Sequence, residues 1–116
     1  MPLPFQWDNG NTRHVIDDYP ERGNSTDEIE SLFADPFFAP LPDRVDSRGE
    51  QQYNAVGDSN QNRLLYVVFS VRNGYIRPIS CRPASRKERD RYVEITQRTH
   101  QEGNRNGGPP ETGSRD

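Results

Sequence analysis

At 116 residues with 29% hydrophobic side chains, the chain has material for one thin core and one small domain. The net charge of −3 comes with a single cysteine, Cys81, which excludes an internal disulfide framework and fits a reducing cytoplasm. The longest apolar run, LLYVVF, has the length of a strand, so neither a membrane span nor a leader is expected.

In chain order, PLPFQWD reads as extended, with Phe5 and Trp7 alternating as in a short strand. Asp8 or Asn9 caps a weak helix running to about Tyr19, whose apolar face is Val15, Ile16 and Tyr19. PERGN, residues 20–24, is a turn. Ser25 and Glu28 have capping-box spacing and open a second helix carrying Ile29, Leu32 and Phe33 on one face, which ends ahead of Pro36.

Three strands follow, over residues 50–57, 63–71 and 75–82. The middle one is nearly continuous in apolar residues, as in a strand covered on both faces. Asn73-Gly74 makes the hairpin turn, and Pro78 places the last strand at an edge or on a bulge. Its alternation sends Ile76 and Ser80 one way and Arg77, Ile79 and Cys81 the other. Ser85 and Glu88 repeat the capping-box spacing and start a last helix with Tyr92 and Ile95 inward. The expected architecture is one α+β domain, residues 1–99: a small antiparallel sheet of three to four strands, two N-terminal helices and one C-terminal helix. Residues 100–116 are expected to be a disordered tail, since the segment from Gln101 onward has no apolar residue.

Charge is divided unevenly. Residues 1–62 carry four arginines against twelve acids, whereas residues 63–105 carry nine arginines and one lysine against four acids. That polarity suits an anionic partner for the basic half, and equally suits neutralisation of one half by the other. His14, His100 and Cys81 have no metal-ligand spacing, and no glycine-rich phosphate loop or acyl-transfer motif is present, so no metal and no cofactor are expected. Fourteen of the fifteen basic residues are arginine, whose planar fork grips phosphate through two parallel hydrogen bonds and stacks on bases. Arg77 and Arg82 lie in strand sequence and Arg86 opens the helix behind them, an arrangement suited to phosphate held over the end of a sheet; Arg89 and Arg91 read as the solvated face of that helix.

The segments FQWD, EIESLFADP, YNAVG and RLLYVVFSVRNGYIRPISCRPASRKERDRY together resemble the BrnT family of bacterial toxins, from about Phe5 to Tyr92. The resemblance implies a fold similar to RelE-type ribonucleases and inhibition of translation by RNA cleavage. It also implies neutralisation by an adjacently encoded antitoxin with a ribbon-helix-helix DNA-binding part. Carried over by position, Glu50, Arg63, Arg77, Arg82, Ser80 and Tyr92 fall on polar positions of the family pattern. The implied site has Arg63, Arg77 and Arg82 polarising the scissile phosphate and Glu50 as base, with Arg86, Tyr92 and His14 contacting substrate. Three departures stand out. Asp18 and Tyr19 occupy the place of a Lys-His-Gly run, with a three-residue insertion before Gly23, and Gln52 stands where an arginine is usual. A domain that keeps the fold and binds partners without cutting RNA is therefore the competing expectation.

Overall fold

The computed structural model describes residues 3–107, with side chains through residue 98. Asp8 opens the first helix. Its extended backbone lets the carboxylate accept from the N–H groups of Gly10 and Asn11, while Asn11 Oδ1 accepts from the Asp8 N–H, closing a reciprocal cap. Helix α1 (Asn9–Thr12) passes directly into a π-helical turn over Arg13–Asp17, so the helical path ends two residues before Tyr19. A 3₁₀ turn over Pro20–Arg22 follows, and Ser25 Oγ then accepts from the Glu28 N–H to start α2 (Thr26–Leu32).

Strands β1 (Leu41–Val45), β2 (Gln51–Asp58), β3 (Leu64–Arg72) and β4 (Tyr75–Pro83) form one antiparallel sheet in the order β1-β2-β3-β4. The expected α+β class holds. The three expected strands are β2, β3 and β4, each within a residue of its expected bounds. Strand β1 was not expected: LPDRV lacks alternation and all five residues are exposed, and its proline is tolerated because β1 is an edge strand. Phe5 makes only an isolated parallel bridge to Ile76, so the N-terminal segment lines the outside of β4 without becoming a strand. Between β3 and β4, Asn73 (φ 53°) and Gly74 (φ 80°) both adopt left-handed backbone, as a two-residue type I′ hairpin requires.

Pro78 satisfies both of its expected constraints. It lies in edge strand β4, and the register jumps there: Phe69 pairs with Pro78 but Val68 pairs with Ser80, leaving Ile79 as an extra residue. The bulge corrects one expectation. Cys81 does not share a face with Arg77 and Ile79, because one inserted residue reverses the alternation. Cys81 is fully buried in the core cluster with Ile76, and Arg82 points to the opposite face.

The core lies between one sheet face and the N-terminal helices: Val15, Ile29 and Leu32 pack on Leu65, Val67, Phe69, Ile76 and Cys81. Phe33 joins it edge-on to Phe5 and Phe69, with ring centroids 5.1 and 4.9 Å away. The other face carries Gln52, Asn54, Tyr66, Ser70, Arg77 and Arg82 by register. Helix α3 (Arg86–Gly107) starts over that second face, where Arg91 Nη1 donates to Asn54 Oδ1. The expected capping box is present: the Glu88 N–H donates to Ser85 Oγ and the Ser85 N–H to Glu88 Oε1. The expected tail begins inside α3, which continues to Gly107; residues 108–116 lie outside the described residues.

Candidate active site

A cleft of about 240 Å³ opens where α1, the β1–β2 turn and the β3–β4 hairpin end of the sheet meet. One wall is Gly10, Asn11 and His14 from the first helical segment, and the other is Asp46, Arg48 and Glu50 from the turn. The sheet supplies its base through Gln52, Arg72, Arg77 and Ile79. The register explains the convergence: Gln52 pairs with Ser70 and Ser70 with Arg77, which puts their side chains on one face.

Three guanidinium groups line the cleft, and two of them, Arg72 and Arg77, are each held by hydrogen bonds to a carboxylate; Arg48 Nη2 lies 3.7 Å from Asp46 Oδ2. Arg72 Nε and Nη2 donate to the two Glu50 oxygens at 3.0 Å each. Arg77 Nη1 and Nη2 donate to Asp8 at 2.7 and 3.2 Å, and Nη1 also reaches Gln6 Oε1 at 3.4 Å. The same Asp8 carboxylate caps α1, so one side chain fixes both the helix start and the arginine. Gly10 permits this approach, because a Cβ there would sit 3.1 Å from Arg77 Nη2. Asp46 Oδ1 accepts from the N–H groups of Arg48 and Glu50 at 2.9 Å each, tightening the turn that presents Glu50.

The charges follow from these contacts. The hydrogen bond from Arg72 holds the Glu50 carboxyl below its ordinary value, against a smaller opposing effect of burial. The hydrogen bond from Arg77 does the same for Asp8. Glu50 is thus a carboxylate at neutral pH and a weak proton acceptor; its geometry suits orienting Arg72. His14 is exposed on the helical wall.

The structure brings together His14, Glu50 and Arg77 among the residues singled out from sequence, and places the others elsewhere. Arg63 is on the far side of the fold. Its Nε and Nη2 donate to Glu28 at 2.8 and 2.6 Å, and its remaining donors go to the carbonyls of Arg22 and Gly23. Arg82 shares the face of Arg77 but pairs with Glu88 and lies over the Tyr66 ring. Arg86 is exposed in the first turn of α3. The Tyr92 hydroxyl donates to Asp35 Oδ2 at 2.6 Å, and burial together with that carboxylate pushes its pKa upward. Cys81 is equally unsuited to chemistry, since burial raises its thiol to about 12.

Arg72, Asp46 and Arg48 are charged cleft residues not singled out from the sequence, in which Asp8 reads only as a helix cap. Arg72 carried a usable signal, as the charged residue ending an apolar strand directly before the Asn-Gly turn. The Asp8–Arg77 pairing, across 69 residues, carried none. Among the described residues, no group of three or more His, Cys, Asp or Glu side chains has the arrangement of a metal site, and no helix is long and apolar enough to cross a membrane.

A family model for BrnT, the ribonuclease toxin of type II toxin–antitoxin systems, matches residues 7–88, from the strand-like N-terminal segment to the first turn of α3. No curated protein matches the chain.

Proposed function

Because the chain belongs to the BrnT family of ribonuclease toxins of type II toxin–antitoxin systems, we propose that its cleft is where RNA is cut, and that the cutting arrests translation. The observation that carries this reading is the convergence of Arg72 and Arg77, from adjacent strands, on a cleft faced by His14.

Cleavage requires attack of a ribose 2′-hydroxyl on its neighbouring phosphate, which builds negative charge on the phosphoryl oxygens. The O2′–P bond forms as the P–O5′ bond breaks, giving a 2′,3′-cyclic phosphate and a 5′-hydroxyl that takes its proton from solvent. Arg72 spends its Nε/Nη2 edge on Glu50 and, among the described residues, makes no hydrogen bond through Nη1, which leaves donors for that charge. Arg77 supplies a second positive charge, and His14 takes the proton of the attacking hydroxyl. Glu50 keeps Arg72 aimed, which replaces its expected role as base. Fixed donors of this kind contribute on the order of 10²–10³ in rate each, and a placed proton acceptor about 10²–10⁴. Arg63 supports the scaffold in this reading.

The family implies an antitoxin partner and an RNA target. The toxin body is residues 1–99, acting in the cytoplasm, and the antitoxin carries a ribbon-helix-helix part. Its acidic segments dock near Arg77, Arg82 or Arg86, so association slows with rising salt while dissociation changes less.

Purified protein incubated with end-labelled RNA tests the reading. Cleavage by the wild type, reduced on the order of 10²-fold in Arg77→Ala with an unchanged thermal melt, is the expected result. Equal cleavage by both proteins would mean a contaminating nuclease. A second reading is favoured by Gln52, which lines the cleft where the family pattern suggests an arginine: a domain that binds its antitoxin but does not cut. Complex formation without any wild-type cleavage would select it.

A further inference from the structure

Arg82 offers its plane where Arg72 offers an edge. Its Nη1 and Nη2 donate to the two Glu88 oxygens at 2.8 Å each, and Nη1 also reaches the Pro83 carbonyl at 3.2 Å. One face of the guanidinium lies on the Tyr66 ring, with Cζ 4.4 Å from the centroid. The arginine side chain is nonetheless 37% exposed. Glu88 is itself held, because the Ser85 N–H donates to its Oε1 at 2.8 Å in the α3 capping box. Helix cap, carboxylate, guanidinium and aromatic ring form one stack built from the ring outward.

With Nη1 and Nη2 on Glu88 and one face on Tyr66, this group keeps only its Nε edge for a phosphate. It is a good stacking surface, because a flat, weakly hydrated cation packs against the π-face of any base. Its position is also informative. Arg82 pairs with Tyr66 and Arg77 with Ser70, four residues apart on one face of β3, or about 13 Å at the strand rise. We propose that Arg82, backed by Tyr66 and pinned by Glu88, is a stacking platform for a base of single-stranded RNA flanking the nucleotide held in the cleft. The proposal rests on the RNA-cutting reading for its ligand, but it assigns a separate subsite with a separate readout.

The full chain is titrated with a short single-stranded RNA, 2′-O-methylated throughout so that it cannot be cut, and with an abasic oligonucleotide of the same length. The wild type should bind the base-bearing strand on the order of tenfold more tightly, and quench 2-aminopurine placed within it. Arg82→Lys retains a cation for Glu88 but loses the plane, and should bind both strands alike with an unchanged salt dependence. Glu88→Gln keeps Arg82 but loosens its edge; it should show the same loss in smaller measure, and it covers the case in which the lysine variant fails to fold. A preference for bases that persists in both variants, or one absent from the wild type, would overturn the platform. Failure of the cutting reading looks different: the platform result stands, but unmodified RNA remains intact.

Discussion

Two bidentate arginine–carboxylate pairs flank the same strand, one at each end of β3, and their surroundings give them opposite tasks. Arg63, just before the strand, sends its Nε, Nη1 and Nη2 to Glu28 and two backbone carbonyls, and the Glu28 side chain is 5% exposed. Ser59 Oγ donates to the same carboxylate at 2.7 Å. Arg72, the last residue of the strand, has Glu50 as its hydrogen-bonding partner, and the two side chains are 32% and 21% exposed on a cleft. A guanidinium whose donors are satisfied by backbone carbonyls is holding chain segments together. One with donors left over, beside a void, is placed for a ligand. Residue type is alike in the two cases, and the count of satisfied donors, the burial of the carboxylate and the cleft separate them.

The largest effect should come from breaking the saturated pair. Arg63→Ala strands a nearly buried carboxylate and frees the Arg22–Gly23 turn, and should destabilise the fold by about 3 kcal/mol in urea melts. A loss below about 1 kcal/mol would show that the pair is no more than an ordinary surface contact. Acid sharpens the same point. The Arg63 hydrogen bond lowers the Glu28 pKa below its ordinary 4.5, so this stabilisation is complete above that pH and is lost as pH falls through the lowered folded-state value. Stability of Glu28→Gln should therefore fall less steeply than that of the wild type below pH 4.5.

The open pair should respond in the other observable. Arg72→Lys keeps the charge but cannot grip Glu50 and a phosphate together, so RNA cleavage should drop on the order of 10²-fold while stability moves by less than about 1 kcal/mol. A variant that cuts normally, or one that melts much earlier, would erase the distinction between the two ends of β3. The smallest effect belongs to a pair that is largely exposed on both sides. Glu94 and Arg98, 3.7 Å apart and 70% and 62% exposed on α3, should contribute about 0.3–0.5 kcal/mol, read as an almost unchanged melt for Glu94→Ala.

Much of the fold was legible because its signals are local. The Ser25–Glu28 and Ser85–Glu88 spacings each encode a helix start within one turn, since the cap is made by residues three apart. Asn73-Gly74 encodes its hairpin because few residues accept two successive left-handed positions. Pro78 announced an edge or a bulge because it has no N–H to give. The apolar run of β3 marked the central core strand, and Arg77 stood out as a charge in strand sequence. What could not be read depends on partners far along the chain. Strand β1 has no pattern of its own and exists because β2 offers it an edge. The bulge at Ile79 follows from how β4 must register against β3, and that one residue decides that Cys81 enters the core and Arg82 leaves it. Whether Arg63, Arg72, Arg77 or Arg82 is spent or free is set by Glu28, Glu50, Asp8 and Glu88, each brought to it by packing. Sequence placed the arginines. Their hydrogen-bond partners, which are tertiary, decided which of them a phosphate or a base can reach.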